Sequence, residues 1–212
     1  NKSYTSDQLN QILKIQKGDI YNGTVLKERI TGDGTPSSQN IQTLYQDSGF
    51  LFSSVNAVET KVVNDSITLE IRIREDEKAT IGKVSVVGND KTNDRIIFRE
   101  LRVKPGDLFS RNSIIRSIRE IGQLGFFDTN VTPDVKPNYQ DKTADIEFTV
   151  VEKGGSQIEL QGGYGGGSFI GTLGLSFNNF SIGNLFKKNA WKPLPMGDGQ
   201  SLSLRLQTSR TF

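Results

Sequence analysis

Hydrophobic and polar positions along this chain fall into two rhythms, one up to about residue 153 and another beyond it. In the first, helical spacing alternates with short strands. Ile114, Ile118 and Ile121 stand at i, i+4 and i+7, which predicts a helix over roughly Ser110–Leu124, closed by Gly125. Ahead of it, Lys83–Val87 is a short strand bounded by Gly82 and Gly88. Thr92 fits the N-cap of a further short helix, with Asp94 in the first turn where the dipole favours a negative charge. Ile97 and Leu101 share one face of that helix, and Pro105–Gly106 breaks it. After the long helix comes a strand-like stretch, Phe127–Val135. Pro133 inside it and Pro137 beyond it cannot donate to a ladder, so this strand belongs at a sheet edge. Ala144–Glu152 alternates Ile146, Phe148 and Val150 with Asp145, Glu147 and Thr149, giving one buried face and one wet one. Strand, helix, helix, strand, strand packs most economically as two helices on one face of a three-stranded sheet.

The same order stands earlier in the chain without its first strand. Thr5 and Gln8 fit a capping box, and Leu9, Ile12 and Leu13 supply the inner face of the helix they open. Thr31–Ser38 interrupts the second helical region, and Thr35–Pro36 looks like its restart, an N-cap followed by an N1 proline. Ile41, Leu44 and Tyr45 then form an apolar stripe that Gly49 ends, and Val62–Glu75 completes a hairpin. The two copies share wording. KGDIY (Lys17–Tyr21) answers PGDLF (Pro105–Phe109), and SGFLF (Ser48–Phe52) answers LGFFD (Leu124–Asp128). Each G-D loop is expected to be a turn followed by a core anchor, Tyr21 in one copy and Phe109 in the other. Gly88–Asn89 is expected to be a turn, since no G-x-x-x-x-G-K pattern surrounds it. A repeated module means a tandem array, and arrays serve as scaffolds for partners. The missing strand, the absence of an opening Met and an end inside a strand-like run lead us to expect a fragment.

Beyond residue 153 the rhythm has period two. Gly154–Gly155–Ser156 is a short hinge. Gln157–Tyr164 sets Ile158, Leu160, Gly162 and Tyr164 against Gln157, Glu159, Gln161 and Gly163. Phe169–Phe177 and Ser201–Gln207 repeat the alternation, the latter with Leu202, Leu204 and Leu206 opposite Ser203, Arg205 and Gln207. Such strands suit a half-wet antiparallel sheet or the start of a transmembrane barrel, whose strands run ~9–11 residues with apolar positions toward lipid. Glu159, Gln161, Arg205 and Gln207 suit a watery interior, and Tyr164, Phe177 and Phe180 are compatible with an interfacial girdle. Gly162, Gly163, Gly165, Gly166 and Gly167 strip side-chain packing from the far end of the first of these strands. The Asn184–Gly199 connection holds the only Trp of the chain, Trp191, among Lys187, Lys188 and Lys192. It fits a membrane surface or a loop with one packed aromatic.

Composition narrows the chemistry. There is no Cys and no His, which removes disulfides, thiolate metal sites, His-containing triads and the commonest general base. Lys plus Arg number 26 against 24 Asp plus Glu, so charge gives no case for nucleic acid. The acidic residues are scattered over strand faces with no acid–base pair. Hence no catalytic residue, metal or cofactor is assigned, and the chain is expected not to be an enzyme. No apolar run approaches the ~20 residues of a membrane helix.

The stretches KVSVVGND, RELRVKPGDLF and IGQLGFFD resemble a POTRA domain, the polypeptide-transport-associated repeat. The tail GSQIELQGGYGGGSFIGTLGLSFNNFSIGN resembles the first barrel strands of the BamA family of outer-membrane protein assembly factors. The resemblance implies α+β POTRA repeats over 1–78 and 79–153, then antiparallel transmembrane β-barrel strands over 154–212. It implies a periplasmic arm in a Gram-negative outer membrane that inserts β-barrel proteins without ATP. Expected partners are unfolded outer-membrane clients, accessory lipoprotein subunits and outer-membrane lipid. The first barrel strand would pair with client strands by β-augmentation through Gln157, Ile158, Glu159, Leu160, Gln161, Gly162 and Gly163. Gly154 and Gly155 would be the hinge, and Asp128, Thr129, Asn130, Val131 and Thr132 a second accepting edge in the last repeat. A sister POTRA-barrel transporter, of two-partner secretion or translocation-and-assembly type, and a soluble POTRA scaffold are the alternatives. The Thr31–Ser38 insertion and the long Asn184–Gly199 connection depart from the pattern.

Overall fold

The computed structural model describes residues 3–33, 35, 38–191 and 194–211. It divides into two compact units, one made of Asn1–Val84, Arg102–Arg116 and Val135–Ile146, the other of Ser85–Leu101, Ser117–Asp134 and Glu147–Phe212.

The first copy lies in the first unit. Its elements are α1 (Ser6–Leu13), α2 (Gly23–Thr31), α3 (Ile41–Asp47), β1 (Ser54–Val63) and β2 (Ser66–Arg74), the last two paired antiparallel. Thr5 and Gln8 form the expected capping box on α1. Leu9, Leu26, Ile30, Ile41, Tyr45, Phe50 and Val55 make the core, so each helix contributes to it; in the apolar stripe of α3, Ile41 and Tyr45 are buried and Leu44 is half-buried against them. The helical restart differs from expectation. α3 begins behind Asn40, whose side chain accepts from Thr43 N at 2.9 Å while Thr43 Oγ1 accepts from Asn40 N at 3.0 Å. Thr35 instead donates its amide and hydroxyl to Asp33 at 2.9 and 2.7 Å, in a tight turn ahead of Asn40. Pro36 lies outside the described residues. Among the described residues the interruption gives this copy three helices rather than two.

The second copy follows with β3 (Thr80–Val87), α4 (Asp94–Glu100), α5 (Arg111–Gln123), β4 (Thr132–Asn138) and β5 (Thr143–Thr149), its strands ordered β3-β5-β4. β4 is therefore an edge strand, as its prolines require, but it begins at Thr132 and not at Phe127. Phe127 is buried and makes only an isolated bridge to Glu152, with Asp128 N donating to Val151 O at 2.8 Å. Asp128, Thr129, Asn130 and Val131 thus precede the edge strand. The N-cap position of α4 is Asn93, not Thr92, and no side-chain capping hydrogen bond is made there. On α5, Ile114 and Ile121 are buried together with Ser117, and Ile118 is half-buried on the flank of that face.

The shared G-D wording is a shared loop. Asp19 accepts from Gln16 N at 2.7 Å, and Asp107 accepts from Lys104 N at 3.0 Å. The anchors that follow diverge. Phe109 is buried, its loop zipped to the start of β3 by Phe109 N to Ala79 O at 2.9 Å and Ile81 N to Asp107 O at 2.8 Å. Tyr21 is about half exposed and donates to Glu59 at 3.1 Å, because its loop has no such strand beside it among the described residues. Within the first unit the copies are joined by Ala79 N to Gly49 O at 2.8 Å and by Asp47, which accepts from Asn112 N at 2.6 Å in the first turn of α5. Lys142 adds an ion pair to Asp76 at 3.4 Å and lies 5.3 Å from the centre of the Phe52 ring.

The tail, in the second unit, is an antiparallel sheet of β6 (Ser156–Gly165), β7 (Ser168–Phe180) and β8 (Gln200–Thr211) in that order. Gly166 and Gly167 are the turn between β6 and β7 and not part of the strand. Both have positive φ, +58° and +78°, the geometry that a two-residue hairpin turn demands.

Candidate functional site

Register decides what the tail sheet presents. Ile158 pairs with Leu175 and Leu175 with Leu204; Leu160 pairs with Leu173 and Leu173 with Leu206. Tyr164 pairs with Phe169 on the same face, because positions two apart in a strand share a side. One face of the sheet thus carries an apolar band across these two rows, followed by a row of Gly162, Gly171 and Thr208 and then by Tyr164 and Phe169 beside Arg210. Ile158, Leu160, Tyr164, Leu204 and Leu206 on this face are exposed. The opposite face carries Gln157, Glu159 and Gln161 beside Ser176, Gly174 and Thr172, then Ser203, Arg205 and Gln207. Glu159 and Arg205 come from the two outer strands and meet at 3.4 Å over Gly174, which pairs with both. A Cβ at Gly174 would stand 3.1 Å from Glu159 Oε2, so the absence of a side chain there leaves the pair its room.

Gln157 to Gly163 all lie in β6, one of the two outer strands of this sheet, and every residue of β6 is exposed. The outer ladder groups of β6 are therefore accessible for pairing. Nothing lies within 4 Å of where a side chain would start at Gly163 or Gly165, so at these two positions the strand is held to β7 by its backbone. At the near end, Gly154 is open, whereas Gly155 is packed against Asn178 and its carbonyl accepts from Asn178 N at 3.0 Å. Of the residues expected to form an accepting edge in the last repeat, only Thr132 lies in β4. Among the described residues no cluster of acidic side chains is placed to hold a metal ion.

A second feature of this unit was not anticipated from the sequence. β7 bulges between Phe177 and Phe180, with Asn179 left-handed at φ +66°. Asn179 is buried. Its side-chain nitrogen donates to Thr92 Oγ1 at 2.8 Å, and its side-chain oxygen accepts from Gly199 N at 2.9 Å. Asp198 accepts from the Asn93 side chain at 2.7 Å, pairs with Arg95 at 3.4 Å and takes the Ser181 hydroxyl. The Ser181 hydroxyl, then the Asn93 amide and the charges of Arg95 and Lys187, hold the Asp198 carboxyl below the usual aspartate range against a contrary effect of burial. Glu152 accepts from Thr92 N at 2.7 Å and Lys91 N at 3.1 Å, which binds the end of the last repeat to the same loop. The bulge also turns Phe180 inward. It is buried rather than set in an outward girdle, while Tyr164 is exposed. Thr92 therefore serves this network and not the cap of α4. The signal in the sequence was the pair Asn178–Asn179 and the run Gly197–Asp198–Gly199, turn-forming residues set into strand-like text.

Comparison with known proteins gives concordant results. The family model described as surface antigen variable number repeat, POTRA, matches residues 1–76 and 79–153. A putative outer membrane protein assembly factor of Treponema pallidum is 24% identical over 177 residues, covering 83% of this chain and 20% of its own length. The outer membrane protein assembly factor BamA of Neorickettsia risticii is 27% identical over 210 residues, covering 96% of this chain and 26% of its own length. The chain thus spans about a fifth to a quarter of the length of these relatives. Both are named as assembly factors and neither as an enzyme. In structure, BamA from Haemophilus ducreyi lacking POTRA domains 1-3 superposes with a TM-score of 0.66 at 21% identity, covering 96% of this chain and 34% of that one. The Haemophilus influenzae BamA fragment POTRA3-5 gives a TM-score of 0.57 at 18% identity, covering 69% of this chain and 56% of that one. At such identities these likenesses establish shared fold.

Proposed function

The chain belongs to the POTRA family, the surface antigen variable number repeat, and on that premise we propose that it is the membrane-proximal part of an outer-membrane protein assembly factor. Residues 1–78 and 79–153 are two repeats of a periplasmic arm, and 154–212 open a transmembrane β-barrel. The observation that carries this reading is the register of β6, β7 and β8. It aligns Ile158, Leu175 and Leu204, and then Leu160, Leu173 and Leu206, on one face, with Glu159 and Arg205 on the other. An apolar band backed by a polar face is what a lipid-facing barrel wall with a watery interior requires.

In this reading the protein inserts β-barrel clients into the outer membrane of a Gram-negative bacterium, without covalent chemistry. Client strands add to β6 along Gln157, Ile158, Glu159, Leu160, Gln161, Gly162 and Gly163 through main-chain hydrogen bonds. The exposure of the whole strand and the bare positions at Gly163 and Gly165 support an edge that separates readily from its neighbours. A second accepting edge in the last repeat is proposed at residues 128–132 and on into β4, a reading supported by the position of β4 at the edge of its sheet. Pivoting between repeat and barrel falls on Gly154, since Gly155 is packed against Asn178. Accessory lipoprotein subunits and outer-membrane lipid complete the partners.

The test is a cysteine scan from Gln157 to Gly163 in the full-length protein, crosslinked to the last strand of a client. Efficiency alternating with the ladder along β6 is expected. Crosslinks no higher than those from Ser203 or Gln207 on β8 would reject the assignment.

A further inference from the structure

Between β7 and β8 the chain makes an excursion whose polar groups are met from within. Ser181 N donates to Pro195 O at 2.9 Å, and the Asn184 side chain donates to Met196 O at 3.2 Å. The Trp191 indole N–H donates to Leu185 O at 2.9 Å. Three of its large apolar side chains are nonetheless in the open, with Ile182 63%, Phe186 92% and Trp191 48% exposed. From Ile182 to Gly197 the sequence has no acidic residue and three lysines, Lys187, Lys188 and Lys192. Asp198, the next acid, is occupied by Asn93, Arg95 and Ser181.

We infer that Ile182, Phe186 and Trp191 contact the surface of an anionic phospholipid leaflet, with Lys187 and Lys188 on its phosphates. The inference rests on the barrel reading and adds to it a lipid-binding site outside the strands. Three observations favour lipid over a protein partner. The exposed charge on Lys187 and Lys188 is of one sign, complementary to anionic headgroups. An indole whose N–H is already bonded can enter an apolar boundary without stranding a donor. The strands that enter and leave the segment carry the apolar rows Phe177–Leu202 and Leu175–Leu204, so their band leads toward it. Basic residues set among Phe and Trp are the pattern of segments that lie in the plane of an interface.

The experiment uses the full-length protein in vesicles of phosphatidylcholine with and without phosphatidylglycerol. A fluorophore is placed by Phe186→Cys or, separately, Leu204→Cys, and is quenched by nitroxide lipids at shallow or deep positions. Both side chains are exposed, so neither label disturbs a core. Shallow quenching at position 186 with phosphatidylglycerol and deep quenching at 204 are expected. Lys187→Gln and Lys188→Gln should each lower the inserted fraction at 186 about fivefold, from roughly 1 kcal/mol per basic residue near an anionic surface. Deep quenching at 204 with a water-accessible label at 186 would overturn the inference and leave the barrel standing. So would insertion indifferent to the lysines, or protection of 186 only when a second protein is added. No quenching at 204 would remove the barrel reading, and the inference with it.

Discussion

The side-chain amide of Asn179 donates to the hydroxyl of Thr92 at 2.8 Å, and both residues are buried. This bond joins the bulge of the tail sheet to the loop that leads into α4, and Asn179 also accepts from Gly199 N at 2.9 Å. Asn179→Ala removes both interactions and places a residue with no taste for φ +66° in the bulge. A loss of about 1–3 kcal/mol of local stability is expected from the unsatisfied groups. Amide exchange at Gly199 and Gly197 measures it. Asn179→Gly, which tolerates the backbone but cannot make the bonds, should fall between the two.

Asp198 makes the same junction sensitive to acid. Its folded carboxyl lies below the usual aspartate range, chiefly because the Ser181 hydroxyl donates to it. A carboxyl lowered on folding stabilises fully above its unfolded value, about 3.9, and that contribution disappears as pH falls through the lower folded value. Exchange protection at Gly197 and Gly199 should hold down to about pH 4 and decline below it. Asp198→Asn should flatten this decline while leaving a weaker junction at neutral pH. A decline of equal size in Asp198→Asn would place the titration elsewhere.

How far each feature was legible depends on whether it is written locally. The capping box of Thr5 and Gln8, the stripe of Ile41 and Tyr45 and the G-D loops at Asp19 and Asp107 are set by residues a few positions apart, and the structure has them where the spacing puts them. Thr92 is the opposite case. Its local context is that of an N-cap, yet Asn179 and Glu152, far along the chain, take its hydroxyl and its amide, and the N-cap position falls on Asn93. Tyr21 and Phe109 occupy equivalent places in equivalent loops, and what separates them is the strand at Ala79–Ile81 beside only one of them. Alternation in the tail disclosed the two faces of each strand, but only the register shows that Glu159 and Arg205 share the gap above Gly174.

Gly88 and Gly106 separate two kinds of glycine requirement. Both have positive φ, +92° and +90°. At Gly106 nothing lies within 4 Å of a Cβ, whereas at Gly88 a Cβ would fall 2.0 Å from Val150 O. Gly106→Ala should therefore cost only the left-handed backbone penalty, about 1–2 kcal/mol. Gly88→Ala should cost more than 3 kcal/mol, or abolish folding of the last repeat, because the clash is with backbone that itself bonds β3 through Val150 N to Val87 O at 2.9 Å. Chemical denaturation of the two variants side by side gives the comparison, and equal midpoints would refute it.

The Glu159–Arg205 pair should matter less for its charge than for the space it needs. Its side chains are 48% and 67% exposed, and a solvated pair at 3.4 Å couples by only about 0.2–1 kcal/mol. A double-mutant cycle with Glu159→Gln and Arg205→Gln should return a coupling in that range, falling with salt. Gly174→Val is a different perturbation. It inserts a branched side chain where Glu159 already stands 3.1–3.3 Å from an added Cβ, so the carboxylate must leave Arg205 and β6 must shift against β7. Since the atoms nearest the added Cβ all belong to Glu159 of β6, this shift should appear as faster amide exchange in β6 than in β8. Exchange that rises equally in both strands would show that Gly174 serves the whole sheet and not the edge.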